Sequence, residues 1–99
     1  MLFDFQCDEL RELYVTGYCK KLRLHYDVIK AFYKVMQQIR TAPDERYLRN
    51  YKGLKMEKLQ GNREGQYSVR LNDQYRLIFT IEQVIEENFL LIIAIVDYH

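Results

Sequence analysis

The stretch Phe89-Leu90-Leu91-Ile92-Ile93-Ala94-Ile95-Val96 is the longest apolar run in the chain. Eight residues are too few to cross a bilayer, which takes roughly 20 in a helix. A short apolar run without alternation reads instead as a β-strand covered on both faces, so it is expected at the centre of a sheet. The chain has 99 residues, 48 % of them hydrophobic. That is enough to bury a core, excludes a disordered chain, and predicts one domain over residues 1–99.

The residues before this run supply its neighbours. Tyr67, Val69 and Leu71 alternate with Gln66, Ser68 and Arg70, and Tyr75, Leu77, Phe79 and Ile81 alternate with Arg76, Ile78, Thr80 and Glu82. Asn72-Asp73 is a tight-turn dipeptide between these two strands. Glu86-Glu87-Asn88 separates the second from the apolar run, and a weaker strand is expected within residues 54–59.

Upstream the period is helical. Val28, Ile29, Phe32, Val35, Met36 and Ile39 form one face of a helix over about residues 24–41. Pro43 ends it, because the residue before proline disfavours helical angles. A shorter helix is expected from Asp8 to Tyr14, with early acids suited to its N-terminus and Gly17 as its stop. Leu2–Phe5 reads as an opening strand, and Asp44 as the cap of a single turn through Leu48 that Gly53 closes off. The expected fold is α+β: a short N-terminal strand and two helices packed on one face of a twisted, mainly antiparallel sheet of four or five strands.

Several function classes drop out. The start meets acids at Asp4, Asp8 and Glu9 without a basic segment, so it is not a secretory signal. Together with the lack of a membrane span, this predicts a cytoplasmic protein. Cys7 and Cys19 have neither CxxC spacing nor a Cys/His cluster, and read as small apolar residues in a reducing compartment. His25 and His99 are the only histidines, which excludes a multi-histidine metal site. Gly61-Asn62-Arg63-Glu64-Gly65 lacks the phosphate-cradling Walker spacing and reads as a connecting loop with Arg63 exposed.

Charge is segregated along the chain. Residues 45–76 carry eight Lys/Arg against four Asp/Glu, whereas residues 77–99 carry four acids and no Lys/Arg. The basic stretch can meet a phosphate backbone or form an ordinary solvated rim. Arg76, opposite in face to Tyr75 and Leu77, can grip a phosphate through two parallel hydrogen bonds or pair with a neighbouring carboxylate. Asp97-Tyr98-His99 follows the apolar run. Alternation puts Asp97 and His99 on one face and Tyr98 on the other. The tripeptide reads either as an acid/base pair beside an aromatic or as a polar chain end.

The stretch from Lys58 through Gly61, Arg63, Gly65, Ser68, Arg70, Asn72 and Arg76 to Phe79, with the ending Val96-Asp97-Tyr98-His99, resembles the HigB or plasmid-maintenance killer toxins of the RelE superfamily. The resemblance is strong over residues 54–99. It implies a RelE-like fold and a toxin that enters the ribosomal A site and cuts messenger RNA during translation. The cut would proceed by attack of the ribose 2′-hydroxyl on its own 3′-phosphate, with no metal or other cofactor. A HigA-type helix-turn-helix antitoxin would hold the toxin inactive in a hetero-oligomer, and no membrane is involved.

By position, Arg76 corresponds to the family's phosphate-stabilising arginine, and Asp97, Tyr98 and His99 to its proton-transfer and substrate-positioning residues. Lys58, Arg63, Arg70 and Lys55 are the expected RNA contacts. Many relatives carry a lysine where this chain has Gln60 and a histidine where it has Glu57. Alternation would put Lys58 on the face of Gln60, where it would supply the missing charge. Two alternatives stand beside this reading: a RelE/ParE-fold toxin with another target such as gyrase, and a catalytically weakened RNA- or protein-binding member.

Overall fold

The computed structural model describes residues 1–98; His99, expected to be a proton-transfer residue, lies outside them. In chain order the elements are β1 (Leu2–Phe5), α1 (Asp8–Thr16), α2 (Tyr26–Thr41), α3 (Glu45–Asn50), β2 (Glu57–Lys58), β3 (Tyr67–Arg70), β4 (Tyr75–Val84) and β5 (Glu87–Asp97). Short 3₁₀ turns at Lys52–Leu54 and Gly61–Arg63 flank β2. Among the described residues, no helix is long and apolar enough to cross a membrane.

Local chemistry sets the helix boundaries. α1 stops at Gly17, which adopts φ 83° and returns its N–H to the Leu13 carbonyl at 2.9 Å. α2 begins at Tyr26, two residues later than the periodicity suggests, because His25 is extended and its Nδ1 accepts from the Asp27 N–H at 3.2 Å. It ends at Thr41, with Ala42 extended ahead of Pro43. Asp44 caps α3 by accepting from the Tyr47 N–H at 3.1 Å, and the expected single turn runs on through Asn50.

The sheet order is β1-β5-β4-β3-β2, with β1 parallel to β5 and the other pairs antiparallel. β5 is therefore interior but not central, against the expectation from its apolar run: β4 holds the middle, and β1 flanks β5 only over residues 89–92. The expectation that both faces of β5 are covered also fails. Leu90 and Ile92 are buried in the core, whereas Leu91, Ile93, Ala94 and Val96 are only half-buried. The reason is layering: α1 and α2 contribute to a single core on one side of the sheet. The ladder also slips between Ile78 and Phe79, which pair with Ala94 and Ile92, so Ile93 forms a bulge. The weak strand expected within residues 54–59 shrinks to Glu57–Lys58.

The core joins Leu10 and Leu13 of α1 and Val28, Phe32, Val35, Met36 and Ile39 of α2 to Val69, Leu77, Phe79, Leu90 and Ile92 of the sheet. Each large apolar side chain buried this way contributes about 1.5–3 kcal/mol relative to exposure. The β4–β5 hairpin is closed by the Val84–Glu87 pair, with Ile85 and Glu86 in the loop. Ile85 sits at φ 61° and is 91 % exposed. A left-handed backbone costs an L-residue roughly 1–2 kcal/mol, and a β-branched one is an outlier there.

Two substitutions should separate these effects in chemical denaturation. Phe79→Ala should cost about 3–5 kcal/mol through the cavity it leaves. Ile85→Gly should be neutral or stabilise by up to about 1 kcal/mol, since relief of strain outweighs glycine's extra chain entropy of roughly 0.5–1 kcal/mol.

Candidate active site

Strand register assembles a polar cluster on the face away from α1 and α2. In an antiparallel ladder, directly paired residues share a face. Glu57 pairs with Ser68, Ser68 with Ile78, and Arg76 with both Arg70 and Val96. Leu77 and Phe79 point into the core, so Arg76 and Ile78 point the other way. The β3–β4 turn locks this register: Asn72 Oδ1 accepts from the N–H groups of Gln74 and Tyr75 at 2.9 and 2.7 Å.

Arg76 is buried, with 8 % of its surface exposed. Its Nε donates to Ser68 Oγ at 2.7 Å, and its Nη2 donates to the backbone carbonyl of Lys55. Lys55 itself has φ 45°, a left-handed turn residue that closes the 3₁₀ turn before β2. These acceptors are neutral, and Arg76 is in none of the ion pairs among the described residues. A guanidinium keeps its charge in proteins, so the floor of this face carries a fixed positive charge.

Tyr98 covers that charge. Its N–H donates to the Gln74 carbonyl at 2.7 Å, which extends the edge of the ladder by one residue beyond β5. The Arg76 Cζ lies 5.1 Å from the Tyr98 ring centroid, a cation–π contact. The Tyr98 hydroxyl donates to Glu57 Oε2 at 3.0 Å. The Glu57 carboxylate, as hydrogen-bond acceptor and as neighbouring charge, holds the Tyr98 phenol above its ordinary pKa, with burial adding to the shift and Arg76 opposing it. Beside this cluster lies an open groove of about 520 Å³, with Ser68, Ile78 and Val96 on the sheet side, Asn62 and Arg63 from the Gly61–Arg63 turn, and Gln60 just before it.

The residues expected from the sequence fall into two groups. Arg76 and Tyr98 come together, and Arg63 lines the groove with its Nη1 donating to Gln66 Oε1 at 3.0 Å. Asp97 reaches the groove's rim, but it pairs with Tyr75 in the ladder, on the opposite face from Arg76, and accepts from Gln74 Nε2 at 2.9 Å. Arg70 donates to Asp73 in an ion pair, and the Lys55 ammonium adds to the positive field that holds the Asp73 carboxyl below its usual range. The placement of Lys58 differs from the alternation argument. β2 is only two residues long, so its parity does not carry through to Gln60, and Lys58 pairs with Tyr67 on the core side. Glu57, not Lys58, faces the cluster.

Two members of the cluster were not singled out from the sequence as site residues. Ser68 is readable in principle, since the turn at Asn72-Asp73 fixes β3 against β4 and leaves a small hydroxyl diagonal to Arg76. Glu57 has no such register signal, because the pairing of β2 is set by a long connection; its one sequence signal is that it stands where many relatives carry a histidine. Among the described residues, no three His, Cys, Asp or Glu side chains group together as a metal site.

No curated protein matches the chain by sequence. Solved structures share its fold. The YoeB/ParE toxin from Agrobacterium tumefaciens superposes with a TM-score of 0.62 at 14 % identity over 100 % of both chains. A chain of the heterotetrameric YoeB–YefM toxin–antitoxin complex from Staphylococcus aureus gives 0.55 at 24 % identity, over 100 % of this chain and 98 % of that one. YafQ from E. coli gives 0.55 at 12 % identity, over 96 % of this chain and 90 % of that one. The family described as HigB-like toxin, the RelE-like toxin of the type II toxin–antitoxin system HigB, matches residues 3–99. That span takes in all but the first two residues, and the chain belongs to the HigB-like family of RelE-like type II toxins.

Proposed function

We propose that the protein is a ribosome-dependent messenger-RNA endonuclease that arrests translation, and that an antitoxin partner restrains it. The observation that carries this reading is the buried Arg76 guanidinium, held by neutral acceptors beneath Tyr98 and beside the Glu57 carboxylate. Cleavage by a ribose 2′-hydroxyl needs positive charge at the phosphate, a base for the hydroxyl proton and an acid for the departing 5′-oxygen. Arg76 supplies the first, and its position on the ladder leaves it little to reorganise as charge builds on the phosphate.

Glu57 is the carboxylate in contact with Tyr98 and takes the role of base in this reading. Tyr98 is a hydrogen-bond donor, because Glu57 keeps its phenol protonated. An incoming nucleotide would take over the bond between them and stack on the Tyr98 ring, freeing the carboxylate. The sequence motif makes His99 a proton-transfer residue, and with Glu57 as base it takes the leaving oxygen in this reading. Asp97, bound by Gln74, positions the end of β5 in this reading. Arg63, Arg70, Lys55 and Lys58 contribute a positive field along the RNA rather than contacts at the reacting phosphate. The ribosome would hold the message in the geometry that the open groove does not impose by itself. This activity would place the protein in the cytoplasm.

Inducible expression, with cleavage mapped on translated and untranslated copies of one message, tests the reading. Cuts should appear only on the translated copy. Arg76→Ala should lower cleavage on the order of 10²–10³-fold. Glu57→Gln and His99→Ala should each lower it by about 10²–10⁴-fold. A tenfold or smaller effect at Arg76 and Glu57, or DNA-damage signalling with intact messages, would replace this reading with a binding protein or a gyrase-directed toxin.

The tyrosine pair gives a separate check. In alkaline ultraviolet titration, the Tyr98 component, read as wild type minus Tyr98→Phe, should ionise above the ordinary value of 10.0. Its bond to Glu57 should therefore persist through neutral pH and weaken only as pH rises through that raised value. Glu57→Gln should move the component downward.

A further inference from the structure

The far end of the β4–β5 hairpin carries a second feature, unrelated to the groove. Leu2, Val84 and Ile85 are 57 %, 57 % and 91 % exposed, and with Phe89 they line an apolar depression rimmed by Glu86 and Glu87. A neighbouring hollow shares Leu2, Glu86 and Glu87 and adds Asp44 and Glu45. Its cations are Arg46, paired with Asp44, and the Met1 ammonium, which is turned to the Arg40 and Ala42 carbonyls, so the four acids still outnumber them. Ile85 places a β-branched apolar side chain in solvent on a left-handed backbone, a conformation that favours glycine. Neither solubility nor loop geometry calls for isoleucine there.

We infer that this acidic-rimmed apolar end is the anchoring site for the antitoxin, which would seat a segment bearing large apolar side chains flanked by lysine or arginine. The inference rests on the proposed toxin–antitoxin pairing but not on the nuclease chemistry. Charge selects the occupant. RNA is repelled by Glu82, Glu86 and Glu87, in a stretch of the chain that has no Lys or Arg after Arg76. A second copy related by a two-fold axis would bring identical acidic rims together, which is unfavourable. The surfaces suited to RNA lie at the other end of the sheet, so an apolar anchor here stays free while the groove faces a message. Val84 is eight residues along β4 from Arg76, about 26 Å in extended backbone. The antitoxin is thus held at a site remote from the groove and restrains the toxin by a second segment or by bulk.

The test uses the purified, fluorescently labelled product of the adjacent antitoxin gene, titrated by anisotropy with the wild-type protein, Ile85→Gly, and the double variant Glu86→Lys/Glu87→Lys. Each variant should weaken binding tenfold or more, as loss of a central anchor does. Wild-type binding should weaken with added salt. Both variants should still arrest translation, and Ile85→Gly should unfold at the same or higher denaturant concentration, which excludes misfolding as the cause. Affinities within twofold of wild type for both variants would overturn the inference. So would amide shift changes on antitoxin binding confined to the Tyr98 end, or a sedimentation result in which the hairpin pairs two copies of this chain. If wild type binds no antitoxin, the pairing and this inference fall together. If it binds but does not arrest translation, the nuclease reading falls and the affinity comparison still decides the anchor.

Discussion

Leu77 and Phe79 must enter the core, and that requirement decides where Arg76 can point. Strand alternation gives the residue before Leu77 no other choice than the opposite face. Burying two side chains against α2 thus fixes a guanidinium on the far side of the same strand. A one-residue slip in β4 would exchange the two sets, exposing the apolar pair and driving a cation into the core. The site's central charge is held in place by the same energy that holds the fold. Ser68 and the Lys55 carbonyl refine its direction, and they too are positioned by β3 and by the turn before β2.

Much of this was legible in the residues. The heptad-like stripe of α2, the alternation in β3 and β4, the turn at Asn72-Asp73 and the stop at Gly17 are local signals, and each element formed where its signal lay. That β5 is an interior strand followed from its composition, but the middle of the sheet is β4, with β5 one place nearer the edge. The half-open second face of β5 did not follow, because an apolar run tells how much can be buried but not how many layers the rest of the chain can supply. Leu91, Ala94 and Val96 are apolar without being fully covered.

The candidate site was half legible. Arg76 and Tyr98 sit on strands whose register is set by short turns, so their faces could be read by counting. Lys58 could not be placed this way, because two residues of strand carry no lasting parity and the chain turns at Gly61. Asp97 stood out for its chemistry, yet adjacent residues on a strand face opposite ways, and a tripeptide cannot bring all of its members to one spot. Glu57 entered only as a departure from the family's pattern, and the ladder turned that departure into a neighbour of Tyr98.

Leu2 lies beside Phe89 in the finished sheet, in parallel register. β1 is therefore completed by a strand made much later in the chain. At synthesis rates of about 5–20 residues per second, β1 waits roughly 4–17 s for its partner. Until then Phe3 and Phe5 lack the strand that seats them, and Tyr98 does not yet exist to sit above Arg76. Pairing across nearly the whole chain also carries a high loop-closure cost, which slows folding relative to a protein of neighbouring contacts. A nascent copy consequently has no groove to offer, and maturation comes as one late, cooperative step rather than by gradual growth.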